Sequence, residues 1–403
     1  MGGITIITGP NGFGKSTVLQ IINALSKGNI AYFAKLDFSS LEVEFNGNNK
    51  TKINKTKQKI AIDDIDLDEK MIEFFQSDIR MPWIQPIQGG FLDRRTEAFI
   101  SEDEFFYRMF LDRNSRYLNG LLGKLEGNKI KQVKKKLDSI REWCGDVRFI
   151  TDQRLIQTKI SRSEKPQVVD VIQELPQRLK TEITRVSEEY SRVANNLDST
   201  YPKRLFAAKD GIENKSEYET YLEDVNKKFE KLSNYNLVDM SIIDEAYNQK
   251  YSTALKIYFD DFAKKYKVFQ DLIAKLDLFT KIINNRLTFK QIRITRDEGF
   301  QVVDEDNPQK VLQLSQLSSG EKQEIVLFYE LIFDTKKGLL LLIDEPEISL
   351  HIAWQKQFLD DLVKVSEQTA VQVIVATHSP QIISKYLDIQ VDLGELYGNQ
   401  LYT

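Results

Sequence analysis

Apolar residues cluster at Ile4, Ile6 and Ile7, then return at Val18, Leu19, Ile21, Ile22 and Leu25, with the glycine-rich GPNGFGKST between the two groups. A short continuous run predicts a buried strand and helical spacing predicts a helix, so the chain opens strand, loop, helix. Leu41, Val43 and Phe45 then alternate with Glu42 and Glu44, Asn46-Gly47 follows, and Ile60 and Ile62 come after a polar run. That pattern predicts antiparallel strands around a tight turn. Residues 102–144 carry helical spacing, and Asp146 to Leu155 reads as a further strand.

From 166 to 283 the pattern changes. Charge is dense and glycine scarce, and Val168, Ile172, Leu175, Leu179, Ile183, Val186, Tyr190, Val193 and Leu197 recur at about the 3.6-residue period of a straight amphipathic helix. Pro176 marks a helix start or kink. Gly211 and the Asn-rich stretch at 234–236 divide the region into several helices, which predicts an arm or lid of antiparallel helices. Strand patterns return at Leu287-Thr288-Phe289, Ile292-Arg293-Ile294 and Phe300 to Val303. A helix after LSSGEKQ, the run Leu339 to Ile343, a helix over 350–365 and the strand in VQVIVATHSP complete the chain. Strand and helix in alternation predict an α/β fold, a sheet covered by helices. The expected organisation is one α/β nucleotide domain in two parts, 1–165 and 284–403, split by a helical insertion at 166–283.

The 403 residues suffice for a substantial core, with 41% hydrophobic and 29% charged residues. A net charge of −4 gives no overall basic excess for nucleic acid. A local basic cluster, Lys129, Lys131, Lys134, Lys135, Lys136 and Arg141, leaves DNA as a possible partner; its ordinary reading is the solvated face of a charged helix. One cysteine, Cys144, and two histidines, His351 and His378, exclude an internal disulfide, a Cys-based metal site and a His-only metal cluster. A lone cysteine fits a reducing, cytoplasmic setting. No apolar run approaches the roughly 20 residues of a membrane helix, and the first residues carry no basic n-region. Neither a membrane span nor a secretory leader is expected.

Gly9 to Ser16 match G-x-x-x-x-G-K-[ST], with a strand before and a helix after. The glycines let backbone N–H groups face phosphate, Lys15 reaches the outer phosphate oxygens, and Ser16 is placed to ligate Mg²⁺. Asn11, Gly12, Gly14, Lys15, Ser16 and Thr17 are therefore the candidate phosphate-binding residues. Asp344 and Glu345 end a buried strand, where a parallel sheet presents its ligands. There Asp344 would hold Mg²⁺ through water and Glu345 would polarise an attacking water; the plain alternative is an acidic turn. His378 ends the next strand and could contact the γ-phosphate, against the plain reading of a surface or core histidine. Ser318 with Glu321 forms a capping box on the helix after LSSGEKQ, and a helix N-terminus can also bind phosphate.

Taken in order, these motifs resemble the ABC-type ATPases: phosphate loop, Q-loop region, signature, Walker B with a following Glu, and switch His. LSSGE departs modestly from the usual LSGGQ signature, as in the RecF and SMC branch. DEPEISLH, ATHSPQII and LSSGEKQ, with LDSTYPKRL at 197–205, are similar to the OLD-like AAA ATPases of bacterial and phage-defence operons. The resemblance implies an ABC-type head, a mixed sheet with helices and an antiparallel β subdomain. It implies ATP and Mg²⁺, with Ser318, Ser319 and Gly320 acting in trans on ATP held by another protomer. The partner would be a second copy, as a homodimer or higher oligomer. It implies Gln153 as the Q-loop residue, catalytic and metal-facing, with Gln85 as the alternative. OLD proteins carry a TOPRIM nuclease after the ATPase; 25 residues follow His378, so a separate effector nuclease is expected, as in PARIS or Septu systems. The subgroup usually has strands ahead of the phosphate-loop strand, whereas Met1 here stands almost on it. Three further readings compete: a RecF- or SMC-like DNA-structural ATPase, a transporter motor, and a scaffold that holds ATP without turnover.

Overall fold

The computed structural model describes residues 3–56, 59–67, 84–87, 90–93, 98–101, 127–150, 156–159, 167–238, 244–383 and 385–396. These divide into two compact units, 1–169 with 335–403, and 170–334. The fold is mixed α/β, with one parallel sheet, several small antiparallel sheets and long helices.

In the first unit, β1 (Ile4–Thr8) enters the glycine loop and continues as α1 (Lys15–Lys27). The short helix α2 (Ile30–Lys35) follows, capped by the Asn29 side chain on the Tyr32 N–H. Alternation then gives the meander expected from the sequence: β2 (Ser40–Phe45), β3 (Asn49–Lys55), β4 (Ile60–Ile62) and β5 (Ile65–Leu67), all antiparallel. Asn46-Gly47 sits at the first turn, where Gly47 and Asn48 both take positive φ. Three short strands, β6 (Ile84–Ile87), β7 (Gly90–Asp93) and β8 (Ala98–Ser101), make a second antiparallel sheet. The helix expected over 102–144 is seen as α3 (Gly127–Cys144); 102–126 lie outside the described residues. Val133, Leu137 and Ile140 bury its apolar stripe against Ile53, Ile60, Ile62 and Leu67. β9 (Val147–Ile150), β10 (Ile156–Lys159) and β11 (Gln167–Asp170) follow.

The second unit is built on three helices. α4 (Leu175–Ala207) begins at Glu174 with Pro176 in its first turn, where the missing N–H costs nothing. α5 (Lys215–Ser233) starts at an Asn214 cap, and α6 (Ser252–Asn284) is as long as α4. Leu175, Leu179, Ile183 and Val186 of α4 are buried, as are Phe269, Leu272, Leu276 and Phe279 of α6. The Tyr190 and Phe269 rings meet at a tilt of 36°, with centroids 5.1 Å apart. Arg204, in the 197–205 segment, forks onto both oxygens of Asp261 at 2.7 and 2.5 Å, tying α4 to α6.

After α6 come β12 (Lys290–Thr295), β13 (Gly299–Asp304) and β14 (Val311–Leu312), an antiparallel sheet in the same unit. The strand expected at Leu287-Thr288-Phe289 does not form. Phe289 takes φ 60° and is 73% exposed, so the chain turns there and the strand begins one residue later. Gly299 has φ +71°, and a Cβ built on it would meet the Pro176 carbonyl oxygen at 2.0 Å. Gly299→Ala is therefore expected to cost on the order of 3 kcal/mol, read as a lower denaturation midpoint, because both φ and space forbid a side chain. A loss under about 0.5 kcal/mol would show that the turn can rearrange. Helix α7 (Ser319–Ile332) closes the unit, with every residue from Glu324 to Ile332 buried.

The chain then re-enters the first unit with β15 (Leu340–Asp344), α8 (Ile352–Thr369), β16 (Gln372–Ala376), the short α9 (Pro380–Ile383) and β17 (Gln390–Asp392). The five-stranded sheet has the order β17, β1, β16, β15, β9, and every pairing is parallel. Ile7, Leu19, Val147, Leu342 and Ala376 form the core between this sheet and α1. The C-terminal ends of β1, β16 and β15 therefore lie side by side, and the loops leaving them carry the residues of interest.

Candidate functional site

At the end of β1 the chain turns sharply. Gly9, Gly12 and Gly14 have φ of 138°, 86° and 88°, conformations that glycine adopts without a Cβ penalty. A Cβ on Gly12 would meet nothing within 4 Å, and one on Gly14 only Thr17 Cβ at 3.9 Å. The loop interior is open, and its glycines serve backbone shape and close approach by a ligand. Lys15, only 5% exposed, folds back over the loop and donates to the carbonyls of Gly9 at 2.9 Å and Pro10 at 3.4 Å. Asn11 and Gly12 stand at the exposed rim, and Thr17 lies in the first turn of α1. The loop and the N-terminus of a 13-residue helix thus form the cradle that the sequence implies for a phosphate.

The Ser16 hydroxyl donates to Asp344 Oδ1 at 3.0 Å, linking the loop after β1 to the end of β15. A hydroxyl and a carboxylate this close are hard oxygen donors of the kind Mg²⁺ takes while keeping several waters. The donor set fits that cation, with Ser16 and Asp344 as the residues that would hold it.

Glu345 follows at φ 44° and ψ 56°, a left-handed conformation that costs a non-glycine residue roughly 1–3 kcal/mol. Its N–H donates to the Ala376 carbonyl at 2.9 Å, which pins the end of β15 to the end of β16. His378 Nδ1 lies 2.7 Å from Glu345 Oε2 and 3.2 Å from Glu347 Oε1. Three sequence-predicted groups, the Lys15 loop, the Asp344-Glu345 pair and His378, therefore converge on one edge of one sheet.

Glu347 was not among the expected residues. Its Oε1 accepts from Thr377 Oγ1 at 2.6 Å, from the His378 N–H at 2.9 Å and from the Ser379 N–H at 3.0 Å. Gln355 of α8 donates to the Glu347 and Leu350 carbonyls at 3.3 and 3.1 Å and accepts from Ser379 Oγ at 2.8 Å. The available signal was the third acid of DEPE, which stands two residues past Glu345 and reads locally as a surface carboxylate.

Ser318, Ser319 and Gly320 lie in the second unit, at the start of α7. The capping box is present: Ser318 Oγ accepts from the Glu321 N–H at 3.2 Å, and Glu321 Oε2 accepts from the Ser318 N–H at 2.8 Å. Lys290 donates to both Glu321 oxygens at 2.7 and 3.0 Å. Burial works against the charge on Glu321, and Lys290 with the Ser318 N–H overcomes it, holding this carboxyl below its ordinary range.

Gln153 lies outside the described residues, and of Gln85 only its backbone place in β6 is described. Of the basic cluster, Lys129 and Lys131 have side chains outside the described residues. Lys136 points inward, 2.5 Å from Asp63 and over the Trp143 ring at 4.6 Å, so it supports packing. Among the described residues no helix is long and apolar enough to cross a membrane.

A family model described as the AAA ATPase domain matches residues 2–383. Curated proteins give no match. Two solved SMC heads are similar in structure. One is the Smc head domain with an extended coiled coil bound to the C-terminal domain of ScpA from Pyrococcus furiosus, with 15% identity over 95% of this chain and 85% of that one, TM-score 0.32. The other is the SmcHead bound to the C-winged helix domain of ScpA, with 12% identity over 95% and 84%, also at TM-score 0.32.

Proposed function

We infer that the edge formed by Lys15, Asp344, Glu345 and His378 hydrolyses ATP, on the premise that the chain belongs to the AAA ATPase domain family. Family membership gives an ATP-binding ATPase; the assignment of roles at the site is our own. The observation that carries it is the placement of the Glu345–His378 pair, 2.7 Å apart, directly after Asp344, whose carboxylate meets Ser16.

The backbone of Gly12 to Thr17 binds the phosphates, and Lys15 exchanges its two carbonyl partners for phosphate oxygens. Ser16 and Asp344 would hold Mg²⁺, which would supply charge neutralisation at those oxygens. Glu345 takes a proton from the attacking water at its carboxylate, and His378, held on Glu345 Oε2 through Nδ1, is placed to contact the outer phosphate. Gln153, beyond β9, would be a further metal- and water-facing residue. Phosphate release by the purified full chain, with Mg²⁺ and with chelator, tests the reading. Steady Mg²⁺-dependent release supports it. ATP held for hours without release would identify a binding scaffold.

The signature residues support a second copy as partner. Their capped helix start resembles the ABC signature, which meets ATP held on another protomer. Mixing Ser319→Arg with Glu345→Gln protein is expected to recover about a quarter of wild-type turnover, since random exchange gives half mixed dimers with one intact site each. Mixtures with no more activity than either variant alone would remove the trans arrangement.

The resemblance of DEPEISLH, ATHSPQII and LSSGEKQ to OLD-like proteins supports a cytoplasmic switch in anti-phage defence that acts on a separate effector nuclease. Purification from the native operon, with mass measured with and without ATP, tests this. A stoichiometric nuclease supports it; a lone nucleotide-dependent dimer favours a DNA-structural ATPase.

A further inference from the structure

The His378 side chain is 47% exposed, so packing alone does not hold its ring in place. Glu347, two residues past Glu345, is buried, and three consecutive residues, Thr377, His378 and Ser379, donate to a single oxygen of its carboxylate. A buried carboxylate is costly, and three donors on one oxygen offset that cost. The other oxygen, Oε2, is buried with no hydrogen-bond partner among the described residues. Oε1 thus serves the backbone and hydroxyl of the loop after β16, with His378 Nδ1 also 3.2 Å from it. Gln355 braces the same two loops from α8.

We propose that Glu347 is the positioning residue of this site: it anchors the Thr377–Ser379 loop so that His378 Nδ1 stays on Glu345. The proposal rests on reading the site as the hydrolytic one. The residue bonds the backbone on both sides of the imidazole, so it fixes where the ring starts, while Glu345 fixes where the ring points. Its own Oε1, 3.2 Å from Nδ1, keeps the ring from swinging away toward solvent. Glu347 acts through His378, whose Nδ1 lies 3.2 Å from its Oε1.

The chain has two histidines, so their imidazole signals can be read one at a time. His351 caps α8 through the Ala353 N–H and serves as the internal control. The experiment uses the full chain with isotope-labelled histidine, His351→Gln for assignment, and the variants Glu347→Ala, Thr377→Val and Thr377→Ser, without nucleotide. In Glu347→Ala and Thr377→Val the His378 line is expected to shift or broaden and the His351 line to stay. Thr377→Ser keeps the hydroxyl and should keep the wild-type line. With ATP, Glu347→Ala should lower kcat about tenfold or more with KM changed less than about twofold, and Thr377→Ser should restore what Thr377→Val loses. A His378 line in Glu347→Ala and Thr377→Val that superposes on wild type overturns the proposal. So does a Thr377→Ser protein as impaired as Thr377→Val. Should the wild type release no phosphate, the hydrolytic reading fails, while the two imidazole lines still decide whether Glu347 anchors His378.

Discussion

Glu345→Gln should lower single-turnover ATP hydrolysis by roughly 10²–10⁴-fold, the usual contribution of a positioned general base. Binding of ATP should change less than about threefold, because the phosphate cradle is Gly12 to Thr17 and contains no part of Glu345. The substitution is a clean one here. Glutamine keeps the shape, tolerates the φ of 44° as glutamate does, and can still meet His378 Nδ1 through its amide oxygen. Only the capacity to take a proton is removed. Phosphate release from pre-bound ATP and calorimetric binding measure the two quantities separately. Turnover within about tenfold of wild type would place the base elsewhere.

Arg286→Met should destabilise the second unit by about 3–5 kcal/mol, the cost of breaking a buried ion pair from one side. Arg286 and Glu324 are both buried, with Nε and Oε2 3.2 Å apart. The guanidinium also lies over the Phe328 ring at 4.6 Å, and its Nη1 donates to the Ile282 carbonyl at 3.0 Å in the last turn of α6. Removing the arginine takes away the buried ion pair that Glu324 makes with it. The double variant Arg286→Met, Glu324→Leu should recover most of the loss, since matched apolar groups replace buried pairs at little cost. Urea denaturation followed by fluorescence reads both. A single variant that loses less than about 1 kcal/mol would mean that water reaches Glu324.

How much of this was legible in the sequence follows from how local each feature is. The β2–β3 hairpin was readable because alternation and Asn-Gly lie within a few residues of one another. Pro176 was readable as a helix start or kink for the same reason, and it stands in the first turn of α4. That the phosphate loop, Asp344, Glu345 and His378 stand at strand ends was readable because each follows a strongly apolar run. Phe289 misled, because an aromatic between Thr288 and Lys290 looks like strand, and only the exposed turn with its positive φ decides otherwise. Glu347 was missed for a different reason. Its burial comes from Thr377 to Ser379, some thirty residues away, and the intervening helix α8 hides that distance from any local pattern. The grouping of β12 to β14 with the long helices was likewise not readable. It depends on contacts such as Gly299 on Pro176, more than a hundred residues apart.

The sheet order also sets a timetable for synthesis. β1 spans Ile4–Thr8, yet both of its neighbours, β16 and β17, are drawn from 372–392. On the ribosome Ile4, Ile6 and Ile7 stay without a partner strand until residues 372–392 have emerged. The 170–334 unit is contiguous and closes on itself by then. A nascent chain that stalls before 372 therefore holds a glycine loop with no carboxylate strand fastened beside it. Nucleotide chemistry becomes available only once β16 has been made and joins β1 to β15.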